Sequence, residues 1–237
     1  MKKLISVLLV ALFVSACGQE QSEMSAADGD WRHHGGNHRS EKYSPLDQVN
    51  GSNFGLLEVA WRYRSPDLEL PEELAYPTGD YRAMPLVING VMYVNSNHGL
   101  ISALDPVTGE EHWVFDPKSY EYGPPLFSPL QTRGIEYWTD GNIERLFIAT
   151  SGKQLVSVDI ETGQPDPNFG DDGYVDLREN FGRFEFEMNN ITHGAPPIAV
   201  GSTVVVGSKI YDFPMYNRSP PGHVRAYDAY TGQFKWR

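Results

Sequence analysis

One short phrase, used three times, limits what this chain can become. Ala103-Leu104-Asp105-Pro106-Val107-Thr108-Gly109, Val158-Asp159-Ile160-Glu161-Thr162-Gly163 and Ala226-Tyr227-Asp228-Ala229-Tyr230-Thr231-Gly232 each lead into an Asp and then a Thr-Gly pair. In the first and third copies a tryptophan, Trp113 or Trp236, follows the Asp by eight residues. A strand ending in Asp, a Thr-Gly turn and a strand carrying Trp make a hairpin, and recurrence at this interval is what β-propeller blades leave in a sequence. Helix-period segments are scarce, while apolar alternation broken by Gly, Pro, Asn and Asp runs throughout. The expected class is all-β, built from four-stranded antiparallel blades.

The first blade reads as Met84–Ile88, Val91–Ser96, Leu100–Asp105 and Glu111–Phe115, with Asn89-Gly90 as a strong hairpin signal. A second runs from Ile135 through Arg145–Thr150 and Gln154–Asp159 to Pro165–Gly170. A third runs from Ala195 through Thr203–Ser208 and His223–Asp228 to Gln233–Arg237. Leu57–Arg64 reads as a lone outer strand that closes a ring, and the tryptophans read as packing between blades. About three blades and a closing strand do not close a ring, so residues 31–237 are expected to be part of a larger propeller.

Connectivity sorts the loops by face. In each blade the first and third turns share one face and are short here, whereas Ser65–Ala83, Asp116–Gly134, Asp171–Gly194 and Lys209–Gly222 emerge on the other. Long loops in a compact domain are usually functional or disordered. Arg82, Arg133, Thr192, His193, Lys209 and Asp212 therefore share a face. Arginines grip carboxylates bidentately, and an Asp beside carbonyls helps hold a hard divalent cation, which suits a polyanionic ligand with a metal. For any single residue the bland reading, a solvated loop charge, stands beside this one.

The amino terminus carries its own signal. Lys2 and Lys3 precede an apolar run from Leu4 to Val14 and then Val14-Ser15-Ala16-Cys17, a secretory leader too short to span a bilayer. The single cysteine sits where cleavage exposes it, as in a bacterial lipobox, with an ordinary leader as the alternative. Residues 1–16 are thus expected to be a signal peptide and 17–30 a polar tether from a lipidated Cys17. Gly18 in place of Asp resembles outer-membrane sorting, which puts the protein in the periplasm on a lipid anchor. With Cys17 acylated no disulfide is available. With no Cys-x-x-Cys-His, no covalently attached c-type haem is expected within residues 1–237. Loss of Lys2 and Lys3 makes the formal charge of −12 more negative still, which argues against nucleic acid as a partner.

Beyond these readings, several stretches resemble the quinoprotein dehydrogenases that use pyrroloquinoline quinone (PQQ). They are Tyr43-Ser44-Pro45-Leu46-Asp47-Gln48-Val49-Asn50, Leu57-Glu58-Val59-Ala60-Trp61-Arg62-Tyr63-Arg64, Met84-Pro85-Leu86-Val87, Arg133-Gly134-Ile135-Glu136-Tyr137-Trp138 and Pro221-Gly222-His223-Val224-Arg225-Ala226-Tyr227-Asp228. The glucose/quinate/shikimate-like membrane-associated branch looks nearest. The resemblance implies an eight-bladed propeller with PQQ and calcium, or another divalent cation, on the loop-rich face. It implies oxidation of a sugar, polyol or other alcohol, with electrons passing to a quinone or a separate cytochrome. It assigns Arg133 to a PQQ carboxylate, Thr192 or His193 to cofactor contact, Arg82 to the cofactor's surroundings and Asp212 to the metal. The catalytic Asp and the basic residue facing the quinone carbonyls are expected beyond residue 237, so residues 1–237 alone are expected to be inactive. Three departures stand out. Arg82 replaces a Glu found in many members, Phe127-Ser128 stand where the alcohol-oxidising branch has adjacent cysteines, and Trp138 replaces a His of the glucose type.

The competing function is a non-enzymatic outer-membrane lipoprotein propeller that acts as a protein-interaction scaffold. A third possibility places zinc or copper on the cluster His33, His34 and His38, against a surface histidine group as the plainer reading. Asp171-Asp172-Gly173 resembles a piece of a calcium loop but lacks the remaining spacing, and reads as a turn.

Overall fold

The computed structural model describes residues 29–74, 76–122, 132–182, 191–210 and 221–237. It contains three four-stranded antiparallel sheets and one two-stranded ribbon. The first sheet comprises β1 (Leu86–Ile88), β2 (Val91–Asn95), β3 (Ile101–Leu104) and β4 (Glu111–Phe115). The second comprises β5 (Glu136–Thr139), β6 (Glu144–Ala149), β7 (Gln154–Asp159) and β8 (Tyr174–Asp176). Next come β9 (Ile191–Thr192), β10 (Ile198–Val200), β11 (Thr203–Val206), β12 (Lys209–Ile210), β13 (Arg225–Asp228) and β14 (Phe234–Trp236). Here β10-β11-β13-β14 make the third sheet and β9 pairs with β12.

The three Asp-Thr-Gly phrases adopt one turn. The Asp105 carboxylate accepts from the Val107 and Thr108 amides at 2.8 and 2.7 Å. Asp159 accepts from the Thr162 amide, and Asp228 from those of Tyr230 and Thr231. Each Asp carbonyl then accepts from the glycine amide four residues on. Gly109, Gly163 and Gly232 have φ of +75, +69 and +70°, a region that favours glycine. The amides of Thr108 and Val107 lower the Asp105 pKa, because they favour its charged form.

Tryptophans join the sheets. Trp113 on β4 lies flat over Gly163 in the second sheet, so close that a Cβ there would stand 2.5 Å from Cδ2. Trp61 covers Gly109 of the first sheet in the same way and donates from Nε1 to the Pro106 carbonyl at 3.2 Å. Two apolar cores result. Leu86, Ile88, Ile101 and Ala103 meet Tyr137, Leu146, Ile148 and Val156 between the first and second sheets. Phe147, Leu155 and Phe169 meet Val204, Val206 and Tyr227 between the second and third. Strand β6 alternates between the two cores, as the two-residue period of a strand requires.

Two expectations need correction. Leu57–Arg64 is extended but belongs to no sheet; its side chains dock it, with Tyr63 Oη bonded to Ser102 and Glu111. The fourth strand of the second blade is Tyr174–Asp176, not Pro165–Gly170. Pro165 and Pro167 have no N–H to offer a ladder, so that stretch makes a single bridge, Val158 to Pro165, and turns at Asn168–Gly170. Asp171-Asp172-Gly173 is the tight turn it was expected to be, with Asp171 and Tyr174 paired across it.

Candidate functional site

Hydrogen bonds tie the irregular segments together at one end of the sheets. Thr132 Oγ1 donates to the Asn97 carbonyl and Ser119 Oγ to that of His98. The Leu177 amide reaches the Lys153 carbonyl, and the Arg133 amide reaches that of Gly194 at 2.8 Å. The short turns meet at the opposite end, where Trp138 Nε1 donates to the Gly201 carbonyl and Tyr230 Oη bonds Asp140. The separation of faces inferred from connectivity is present in the fold except at the β7–β8 connection, which is long and carries residues 171–173 at the short-turn end, where the Gly170 amide donates to the Thr231 carbonyl.

At the long-loop end, Arg133, Thr192 and Lys209 converge. Thr192 stands opposite Lys209 in the β9–β12 ribbon, and the Arg133 backbone is pinned to Gly194, two residues after Thr192. The Lys209 pKa is lowered, first by burial and then by the charge of Arg133. Both side chains are exposed, and none of the ion pairs among the described residues involves the Arg133 guanidinium. Two like charges held together repel unless an anion lies between them. The arrangement can therefore grip a carboxylated ligand, with Arg133 as a two-pronged donor and Lys209 as a point charge.

His193 points elsewhere. It is 2 % exposed, and its Nε2 accepts from Arg225 Nη2 at 3.2 Å. Burial, then the nearby charges of Arg225 and Lys153, push its pKa down to about 3. The imidazole is therefore neutral, with its proton on Nδ1. Arg225 also donates to the carbonyls of Leu177 and Glu179 and lies over the Phe181 ring at 4.1 Å. His193 and Arg225 brace the floor beneath Thr192, a task that the residue types alone did not announce. Arg82 remains on the preceding loop, half exposed and paired with Asp80 at 3.0 Å. Trp138 packs on Phe147 and Tyr230 within the sheet interface, so its replacement of His bears on packing. Asp212, Phe127, Ser128 and Cys17 lie outside the described residues.

A concavity of about 430 Å³ opens away from this face, toward the short turns, lined by Arg32, His33, His38, Tyr137 and Gly201 among others. The adjacent cations Arg133 and Lys209 lie at the other end of the sheets.

Comparison with known proteins gives one family and a consistent set of relatives. The family model described as "PQQ: Glucose/ethanol/alcohol dehydrogenase, beta-propeller domain" matches residues 31–237. Quinoprotein glucose dehydrogenase A of Acinetobacter calcoaceticus is 30% identical over 234 residues, covering 91% of this chain and 28% of that protein. The dehydrogenase subunit of the quinone-type alcohol dehydrogenase of Gluconobacter oxydans is 30% identical over 217 residues, covering 91% and 25%. The chain thus spans little more than a quarter of the length of these relatives. In fold it is similar to the quinohemoprotein alcohol dehydrogenase of Comamonas testosteroni, with a TM-score of 0.69 at 24% identity over 90% of this chain and 27% of the other.

Proposed function

The chain belongs to the PQQ-dependent glucose, ethanol and alcohol dehydrogenase β-propellers, and from that footing we propose that it helps oxidise a sugar, polyol or other alcohol, holding PQQ at the long-loop face. The observation that carries this reading is the juxtaposition of Arg133 and Lys209 beside Thr192, with no described carboxylate on the arginine. PQQ is a polycarboxylated quinone, so the donor set fits it. When bound, it supplies the group that takes up two electrons from the alcohol carbon. Arg133 orients one carboxylate and Lys209 adds positive potential, with the buried Thr192 directly opposite Lys209 in the adjoining ribbon. Asp212 is proposed, on the resemblance alone, as a ligand of calcium or another divalent cation, and a quinone or separate cytochrome as electron acceptor. A scaffold needs no paired cations at this rim, which favours the dehydrogenase over the scaffold reading.

Calorimetric titration of the full chain with PQQ, with and without calcium, tests the assignment. Arg133→Ala removes a charge-assisted pair worth about 1.5–3 kcal/mol, so Kd should rise roughly 10- to 100-fold. Asp212→Asn should abolish any gain from calcium. Unchanged affinity in Arg133→Ala retires the carboxylate clamp, and no binding at all returns the scaffold to first place.

We also propose that Cys17 carries lipid and tethers the chain on the periplasmic side of the outer membrane, supported by the leader pattern that ends at Ala16. No helix among the described residues is long and apolar enough to cross a membrane. The Cys17→Ala protein should move from the detergent phase to the aqueous phase in Triton X-114 partition. Equal partition of both forms removes the anchor.

A further inference from the structure

The amino-terminal histidine segment folds back on itself over the innermost strands. Trp31 exchanges two backbone hydrogen bonds with Val87 on β1, at 2.7 and 3.0 Å, which staples the segment to the first sheet. A tight turn follows, with the Gly36 amide donating to the His33 carbonyl at 2.8 Å and Gly36 at φ +87° under the Trp31 ring. The turn brings His38 over His33, with ring centroids 3.9 Å apart. Below them lies Glu136 on β5, 3 % exposed, whose Oε1 accepts from the Ala199 amide at 3.1 Å and stands 3.3 Å from His33 Nδ1. His34 turns away, its Nδ1 close to Gly134. The group borders the 430 Å³ concavity, which His33 and His38 help to line.

We propose that His33, His38 and Glu136 form a binding site for a divalent transition-metal ion, of which Zn²⁺ is the representative. One ligand atom from each lies within 4.8 Å of the other two. Bonds of about 2.1 Å in a tetrahedral shell put neighbouring ligand atoms roughly 3.4 Å apart. His33 Nδ1 and Glu136 Oε1, at 3.3 Å, already hold that spacing. Closing the remaining gap requires only His38, which is exposed and sits on the outer arm of the turn. A carboxylate this deeply buried needs a positive partner, and the geometry of the His33–Glu136 pair does not form a hydrogen bond, leaving His33 Nδ1 unsatisfied. Two imidazoles and one carboxylate form a donor set that suits zinc and its neighbours and not calcium, which prefers an all-oxygen shell. The concavity leaves the fourth position open to water. This site is independent of the quinone face. Its ligands come from the segment at 33–38 and from β5, and not from Arg133, Thr192 or Lys209.

The test uses untagged full-length chain, stripped with EDTA and desalted, and titrated with Zn²⁺ against a chromophoric chelator. One equivalent should bind. His38→Ala and Glu136→Gln should each weaken binding by more than about 10-fold, the lower end of what even outer-shell changes cost, while His34→Ala should leave it unchanged. Co²⁺ substitution should give the intense visible bands of a four-coordinate site with nitrogen ligands, lost in His38→Ala. His38→Ala removes an exposed side chain, and an unchanged circular dichroism spectrum will show that its fold is intact. Failure to retain Zn²⁺, loss of binding in His34→Ala with none in His38→Ala, or a weak six-coordinate Co²⁺ spectrum each overturns the proposal.

Discussion

His193 illustrates how position outweighs residue type. A histidine beside a threonine on a loop-rich face invites a ligand-binding role, yet burial against Arg225 leaves it neutral and occupied. The consequence is a pH dependence whose direction follows from linkage. The unfolded chain takes up a proton near pH 6.5, whereas the folded protein resists doing so until about pH 3. The unfolded state therefore binds more protons across that window, and stability falls as pH falls below 6.5. One such group costs on the order of 1 kcal/mol by pH 5.5. His193→Gln keeps an acceptor for Arg225 but does not titrate. The stability difference between wild type and variant, from urea melts at pH 7.5 and 5.5, should shift by about 1 kcal/mol in favour of the variant at the lower pH. A difference that stays constant between the two pH values means that His193 is not the group responsible.

The recurrent hairpin explains why the strands were legible and why one was misplaced. Asp, Thr and Gly at fixed spacing define a turn by local hydrogen bonds, so Asp105, Asp159 and Asp228 could be recognised without knowing what surrounds them. The stretch after Thr162-Gly163 has two prolines and no Trp, and its outer strand forms later, at Tyr174–Asp176. Within that stretch Asp166 turns inward to pair with Arg145. In the third sheet Gly232 accordingly meets Val175 and Gly170, where Gly109 and Gly163 meet indole rings. The indole docking makes its own prediction. Gly163→Ala should destabilise the protein by roughly 1–3 kcal/mol through overpacking against Trp113, with added strain from positive φ. Gly51→Ala, where nothing lies within 4 Å, should change little. Urea midpoints report the difference, and equal midpoints for the two variants would mean that Trp113 is free to move aside.

Among the described residues, the middle sheet contributes to both apolar cores, one on each of its faces. Strand β6 sends Leu146 and Ile148 into one core and Phe147 and Ala149 into the other, whereas β14 is mostly exposed. Amides of Arg145–Ala149 should therefore exchange with solvent only through the largest opening events, and those of Phe234–Trp236 through local fraying. Hydrogen exchange followed by mass spectrometry checks this, and equal protection of the two strands would contradict the layered arrangement. By itself the sequence determined the blade class, the three Asp-Thr-Gly hairpins and, apart from the long β7–β8 connection, the sorting of short and long loops onto opposite faces. Those features depend on neighbours along the chain, where spacing and turn chemistry act directly. Only the tertiary structure decided that Lys209 rather than His193 stands with Arg133, that Arg225 is a buried brace, and that His33 and His38 meet Glu136. Each of these turns on which side chains face one another across separate sheets, and burial and charge between distant segments have no signature in local order.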